Sequence, residues 1–141
     1  MQPVLTPYSE ADLLPYAGTG TSTVNGQAFL KTRGGEVRFG AGDKVQLIPV
    51  TAYTTEFRER VTVRGERIGP INPEFEKYRR ITIADGNGNF EFKNLPAGNY
   101  YATCYITWEI PGQYGLERTG GVAYGTVKVG IGETSKVIVT R

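Results

Sequence analysis

The chain has 141 residues with 16 basic and 14 acidic side chains, which gives a net charge of +2. That balance argues against nucleic acid or an anionic membrane surface as the partner. Histidine is absent and there is one cysteine, so the commonest general base, a thiolate zinc cluster and an intramolecular disulfide are all excluded. With 19 glycines, 8 prolines and 9 tyrosines, the composition predicts a single all-β domain with many short strands.

Residues 1–22 are predicted to form an N-terminal arm or tether ahead of a β-sandwich domain at 23–141. Pro3, Pro7 and Pro15 interrupt the arm, and Ser9 could cap one helical turn within it. No apolar run is long enough to span a bilayer. The first residues also lack the pattern of a signal peptide, so whether a leader was removed stays open.

Seven runs with strand patterns follow the arm. They lie at 23–31, 44–50, 80–84, 89–93, 100–110, 122–129 and 134–141. Val37 and Phe39 could add a short strand pair, and 111–121 is predicted to be a glycine-rich loop. The run at 100–110 alternates most clearly. Its predicted core face consists of Tyr100, Ala102, Cys104, Ile106, Trp108 and Ile110.

Residues 51–80 are rich in charge and are predicted to be a partly helical insertion between strands. Thr54 and Thr55 could cap a short helix that runs to about Arg60, with Glu56 one turn before Arg60. The β-branched residues at 61–63 argue against a longer helix. A second helix is predicted to begin at Asn72-Pro73-Glu74.

The stretch from residue 85 to residue 100 reads D-G-N-G-N-F-E-F-K-N-L-P-A-G-N-Y. It predicts a sharp turn, a strand with Phe90 and Phe92 on one face, a Pro-Gly turn and the next strand. This pattern resembles the carboxypeptidase regulatory-like domains. The resemblance implies a seven-stranded, transthyretin-like Greek-key β-sandwich. It also implies an accessory, adhesive or structural role in a bacterial periplasm, at an outer membrane or outside the cell.

We expect no enzyme and no cofactor. A hydrolase of 5-hydroxyisourate shares the transthyretin-like fold, but its site relies on histidines that this chain lacks. Cys104 falls on the predicted core face and reads as a small apolar filler. The turn at Asp85 looks slightly like the start of a calcium loop, but turn geometry explains it without a metal. Lys31 is a conceivable isopeptide donor, although the last strand offers no Asn or Asp.

Two kinds of binding surface remain. The insertion predicts contacts with another protein or with a second copy of the chain, through Tyr53, Phe57, Arg58, Arg60, Phe75 and Tyr78. The arm could also dock on a neighbour within an extracellular or virion assembly. The alternative is carbohydrate binding on a tyrosine-rich sheet face, through Tyr101, Tyr105 and Tyr124. Cross-strand aromatic pairing would explain the same tyrosines without a ligand.

Overall fold

The computed structural model describes residues 9–66 and 77–141. Their helical segments are α1 (Glu10–Leu13), a 3-10 turn (Leu14–Tyr16), α2 (Ala52–Phe57) and a π-helical turn (Arg58–Val63). The strands are β1 (Ser22–Lys31), β2 (Val37–Phe39), β3 (Lys44–Pro49), β4 (Arg80–Ile83), β5 (Asn89–Leu95), β6 (Gly98–Gly112), β7 (Gly115–Val129) and β8 (Thr134–Val139). No helix in these ranges is long and apolar enough to cross a membrane.

The strands form two four-stranded sheets that pack face to face. Sheet I contains β1, β2, β5 and β8, and sheet II contains β4, β3, β6 and β7 in that order. Strands β1 and β8 pair in parallel, and the other pairs are antiparallel. A two-way backbone bridge between Tyr124 and Thr140 joins the sheets at one edge. The predicted sandwich with a short helical insertion is confirmed, with eight described strands rather than seven because β2 forms its own pairing with β1.

The core lies between the sheets and follows the predicted alternation. On β1, Val24, Ala28 and Leu30 are buried, and their neighbours along the strand are partly exposed. On β6, the predicted core face is buried from Tyr100 to Ile106. Each such side chain contributes about 1.5–3 kcal/mol when it is fully removed from water. The prediction fails at Ile110, which is 39% exposed and lies in the part of β6 that pairs only with β7.

Strands β6 and β7 are each 15 residues long and form one continuous ribbon. The predicted loop at 111–121 is therefore wrong, because most of these residues belong to the paired ladder and the chain reverses only at 113–114. Gly120 allows this close pairing, since a Cβ there would collide with the Ile106 carbonyl oxygen. At this position the glycine permits two backbones to approach each other.

The insertion begins with a capped helix. Thr51 Oγ1 accepts a hydrogen bond from Thr54 N at 3.1 Å, and Thr51 N donates to Thr54 Oγ1 at 2.8 Å. This reciprocal pair makes Thr51 the cap, three residues before the predicted position. The helical winding also continues as a π turn to Val63, past the predicted end. The Glu56–Arg60 ion pair forms as expected, at 3.1 Å. The second predicted helix start, at residue 72, lies outside the described residues.

Residues 9–21 lie on the end of the sandwich. Leu13 is buried, and the Tyr16 ring meets the Tyr100 ring edge to face at 5.2 Å between centroids. The Tyr16 hydroxyl accepts a hydrogen bond from Asn99 N at 3.1 Å, and Arg80 Nη2 donates to the Tyr16 carbonyl at 3.2 Å. This part of the N-terminal segment is therefore integrated into the domain that follows it. Residues 1–8 lie outside the described residues.

The turn at Asp85 carries the chain from one sheet to the other. Strand β4 pairs within sheet II and β5 within sheet I, so the two strands that flank this turn do not form a hairpin. Asp85 Oδ1 accepts hydrogen bonds from Asn87 N at 2.8 Å and Asn89 N at 3.0 Å. These bonds, that of Asn87 foremost, lower the pKa of the Asp85 carboxyl below its usual value. The carboxylate therefore serves the backbone of the turn.

Because the pKa of Asp85 is lower in the folded chain, its ionised form stabilises the fold above the unfolded pKa. That contribution is lost as the pH falls through the folded pKa. Asp85→Asn keeps an acceptor oxygen but no charge. We therefore expect its free energy of unfolding in urea to fall less steeply than that of the wild type between about pH 5 and pH 2. Equal slopes for the two proteins would contradict this expectation.

Replacing Tyr16 tests whether the N-terminal segment belongs to the folded unit. Tyr16→Ala removes the ring contact with Tyr100 and the acceptor for Asn99 N. We expect a loss of about 1–3 kcal/mol in the free energy of unfolding, measured in urea. Tyr114→Ala is the matched control, because Tyr114 is 92% exposed at the ribbon tip. Equal stabilities of the two variants would mean that this contact contributes nothing.

Candidate functional site

The outer face of sheet II carries the tyrosines of the predicted carbohydrate site, with polar side chains beside them. Strand pairing places Gln46, Thr103 and Tyr124 in one row and brings Tyr105 beside Val122. These side chains point away from the core because they alternate with the buried residues of β3, β6 and β7. The three tyrosines of the predicted carbohydrate face therefore do share one surface.

The insertion covers part of this face. Arg58 lies over two rings, with its Cζ 4.8 Å from the Tyr101 centroid and 5.0 Å from that of Tyr124. The hydroxyls of Thr55 and Tyr101 share a hydrogen bond at 2.7 Å. Tyr101 is consequently only 9% exposed. A cation over an aromatic face gains about 0.5–2 kcal/mol, most where water is excluded. Tyr101 and Tyr124 thus hold the insertion against the sheet, and their rings are not free to take a ligand in this conformation.

Tyr105 is different, because no part of the described insertion covers it. Its side chain is 63% exposed and forms one wall of an open cavity of about 480 Å³. The cavity is lined by Gly42, Asp43, Lys44, Gln46, Thr103, Tyr105 and Val122. The turn before β3 supplies Gly42 and Asp43, and three neighbouring strands supply the other residues. The cavity therefore combines one large aromatic face with several polar side chains.

The polar groups of the cavity differ in how far the protein already uses them. Gln46 Oε1 accepts a hydrogen bond from Arg79 Nη1 at 3.1 Å, which fixes the orientation of the side-chain amide. Burial raises the pKa of the Asp43 carboxyl, and the positive charge of Arg118 opposes that shift. Thr103 adds a hydroxyl at the cavity wall. Together these groups offer hydrogen-bond donors and acceptors around one exposed aromatic ring.

The two reactive residues that the sequence suggested, Cys104 and Lys31, do not line this cavity. Cys104 is buried in the core, where burial foremost and the charge of Asp43 raise the pKa of its thiol to about 12. It is therefore protonated at neutral pH and acts as a packing residue. Lys31 ends β1 and is exposed, unlike the shielded lysines that form isopeptide bonds.

The predicted protein-contact residues are mostly turned inward. Tyr53, Arg60 and Tyr78 are buried, and Phe57 is partly buried. Arg58 is engaged with the two tyrosines, and Phe75 lies outside the described residues. Most of the predicted contact residues that the structure describes are thus withdrawn from solvent, and Arg60 pairs with Glu56 and Glu66 within the insertion itself. Thr55 and Arg58 attach the insertion to Tyr101 on the outer face of sheet II.

Tyr105 is the one cavity-lining residue that the sequence predicts as a ligand contact, whereas Asp43, Lys44, Gln46 and Thr103 were not predicted. The alternation in β3 does place Lys44 and Gln46 on one outward face. However, only the pairing of β3 with β6 brings that face beside Tyr105. Asp43 gave no signal, because an acid in a glycine-containing turn is commonplace.

Comparison with solved structures identifies a close structural match. A protein of Pseudomonas aeruginosa, provisionally described as carbohydrate binding, superposes with a TM-score of 0.84 at 25% sequence identity. The match covers 97% of this chain and 99% of that protein. The 3-chlorocatechol 1,2-dioxygenase of Rhodococcus opacus 1CP matches with a TM-score of 0.32 at 16% identity, over 100% of this chain and 72% of the dioxygenase, which is too low to support an argument. The chain matches no protein-family model and no curated protein.

Arg58→Ala tests the attachment of the insertion to the sheet. We expect a loss of about 1–2 kcal/mol in the free energy of unfolding in urea, since the cation leaves two aromatic faces. Arg64→Ala is the control, because Arg64 is exposed and its ion pair with Glu66 lies at the surface. If both variants lose the same stability, the cation–aromatic contacts do not hold the insertion.

Proposed function

We propose that this chain is a non-catalytic carbohydrate-binding module whose binding surface is the Tyr105 cavity. The observation that carries this proposal is an exposed tyrosine ring on the wall of an open cavity lined by polar side chains. A pyranose ring has an apolar C–H face and a rim of hydroxyls. The tyrosine matches the first feature and the polar wall matches the second.

The size and openness of the site favour a sugar at the surface over a deeply enclosed ligand. The volume of about 480 Å³ lies within the range of small-molecule sites. One aromatic wall and a few hydrogen bonds support a modest affinity. We expect dissociation constants near the millimolar range, which corresponds to about 4 kcal/mol of binding free energy. Such modules gain avidity when they are linked to others or when their target repeats.

The comparison supports the same function. The Pseudomonas protein that covers nearly all of this chain at 25% identity is provisionally described as carbohydrate binding. The fold by itself would not carry this argument, since β-sandwiches serve many purposes. The structural similarity together with the exposed Tyr105 favours carbohydrate over the protein contacts that the insertion suggested. We also propose a location in the bacterial envelope or outside the cell, which rests on the family resemblance of residues 85–100.

Protein contact is the second candidate, and one observation favours it. The β6–β7 ribbon projects past the sandwich and carries Tyr114 and Leu116, which are both highly exposed. Exposed apolar residues on a projecting ribbon are typical of contact surfaces. This reading places the contact on the ribbon, away from the predicted insertion residues.

Tyr105→Ala tests the carbohydrate proposal. The full-length wild type should bind at least one ligand on a glycan array, and Tyr105→Ala should lose at least about tenfold in affinity for that ligand, because aromatic stacking is worth about 1–3 kcal/mol. Titration of ¹⁵N-labelled protein by NMR provides the affinities. Tyr114→Ala, which removes another exposed tyrosine, should bind as the wild type does.

Two results would contradict the carbohydrate proposal. One is a wild type that binds no glycan, which would leave protein contact as the remaining candidate. The other is a Tyr105→Ala variant with unchanged affinity, which would move the binding surface elsewhere on the molecule.

A further inference from the structure

Two opposite charges stand next to each other on the wall of the Tyr105 cavity. Asp43 and Lys44 are consecutive residues, and both line it. Within the part of the chain that the structure describes, neither side chain makes a hydrogen bond or an ion pair. The neighbouring Gln46 is by contrast bound to Arg79. The cavity lining therefore includes one residue with an acceptor and one with a donor whose hydrogen-bonding capacity the described fold leaves unused.

The Asp43 carboxylate would gain from a hydrogen-bond donor on the ligand. It is partly withdrawn from water, and this burial raises its pKa. A partly desolvated carboxylate that lacks a hydrogen-bond donor is costly, and a ligand that supplies one recovers part of that cost. Sugar hydroxyls are donors of this kind. Carboxylate and sulfate groups are not donors when ionised, and they would add a second negative charge beside Asp43.

The charged side chains around the cavity do not favour a charged ligand over a neutral one. Arg118 projects from β7 and donates to Thr107 Oγ1 at 3.1 Å, and its other Nη lies 3.8 Å from Glu109. Its charge acts on Asp43 but is shared with those groups. The formal charges of Asp43 and Lys44 cancel at the cavity wall. The local field thus favours a neutral ligand with both donor and acceptor groups.

We infer that the cavity selects a neutral sugar through two adjacent hydroxyls, one donating to the Asp43 carboxylate and the other accepting from Lys44 Nζ, while the ring lies on Tyr105. This inference rests on the proposed function and narrows it to a ligand class. A vicinal diol suits the pair, because neighbouring hydroxyls on a ring can bond to neighbouring side chains. Uronic acids and sulfated sugars are disfavoured by Asp43, and amino sugars are disfavoured by Lys44.

Binding through the Asp43 carboxylate should depend on pH. The titratable groups that line the cavity with Asp43 or interact with its charge are Lys44, Arg118, Tyr105 and the buried Cys104 thiol. Asp43 is the carboxyl group among them, and carboxyl groups are the side chains that titrate in the acidic range. Acidification therefore changes Asp43, whose pKa lies above the ordinary value of 3.8. Protonation removes the charged acceptor, so affinity should fall as the pH drops through that pKa.

The experiment measures the affinities of the full chain by NMR titration with chosen probes. The neutral probes are the methyl glycosides of glucose, galactose and mannose, and the charged probes are the corresponding uronic acids and 2-amino sugars. We expect at least one neutral probe to bind more tightly than its charged counterparts. Asp43→Asn should weaken that binding about 10- to 100-fold, as expected for the loss of a charge-assisted hydrogen bond. Glu91→Gln, which removes an exposed carboxylate from sheet I, is the matched control and should leave the affinity unchanged.

The pH dependence of the affinity is a second measurement, and it tests Asp43 in the wild-type protein as well as in Asp43→Asn. The wild-type affinity should fall on acidification, whereas the weaker affinity of Asp43→Asn should stay level over the same range. The amide spectrum of each variant reports whether it is folded. If the amide spectrum shows that Asp43→Asn is misfolded, the pH dependence of the wild-type affinity tests the role of Asp43 instead.

The outcomes separate this inference from the function on which it rests. Unchanged binding by Asp43→Asn, tighter binding of the uronic acids, or a level wild-type pH profile would overturn the role of Asp43. Carbohydrate binding through Tyr105 would still stand after any of these results. If no probe binds and the glycan array is also empty, the proposed function fails, and this inference fails with it.

Discussion

The alternation of β6 between its two faces is the constraint on which the rest of the molecule depends. Tyr100, Ala102 and Cys104 close the core from one side of the strand, and Tyr101 and Tyr105 stand on the other side. A shift of one residue in its pairing would exchange the two sets of side chains. Tyr101 and Tyr105 would then enter the core, and Tyr100, Ala102 and Cys104 would lie outside it. Pairing with β3 on one edge and β7 on the other prevents that shift. The same strand therefore sets both the stability of the sandwich and the composition of its outer surface.

The outer face of sheet II is divided into a covered part and an open part. Arg58 and Thr55 bind the covered part through Tyr101 and Tyr124. The open part holds Tyr105 and the cavity beside it. This division explains why a charged insertion sits on a tyrosine-rich sheet. The insertion covers the rings of Tyr101 and Tyr124, whereas the ring of Tyr105 stays exposed.

Both ends of the sandwich are extended by segments that a minimal fold would not need. At one end, Tyr16 in the 3-10 turn packs against Tyr100 and attaches the start of the described chain to the core. At the other end, the β6–β7 ribbon continues past sheet I. The ribbon brings Arg118 into the electrostatic environment of Asp43, so the extended hairpin influences the cavity from beyond the sandwich. The extended hairpin and the cavity are thereby coupled through charge.

The sequence by itself determined the fold class, the core faces of β1 and β6, and the turn chemistry around Asp85, because these follow from local periodicity and from residues with strong backbone preferences. It also predicted a helix in the insertion, although not its Thr51 cap. Local pattern could not reveal that the helix folds back over Tyr101, or that Asp43 in the turn before β3 and Lys44 at the start of β3 line one cavity with Tyr105. Those placements depend on strand register and on contacts between residues far apart in the chain. Only the tertiary structure could decide them, because no local preference encodes which distant face a strand or helix will meet.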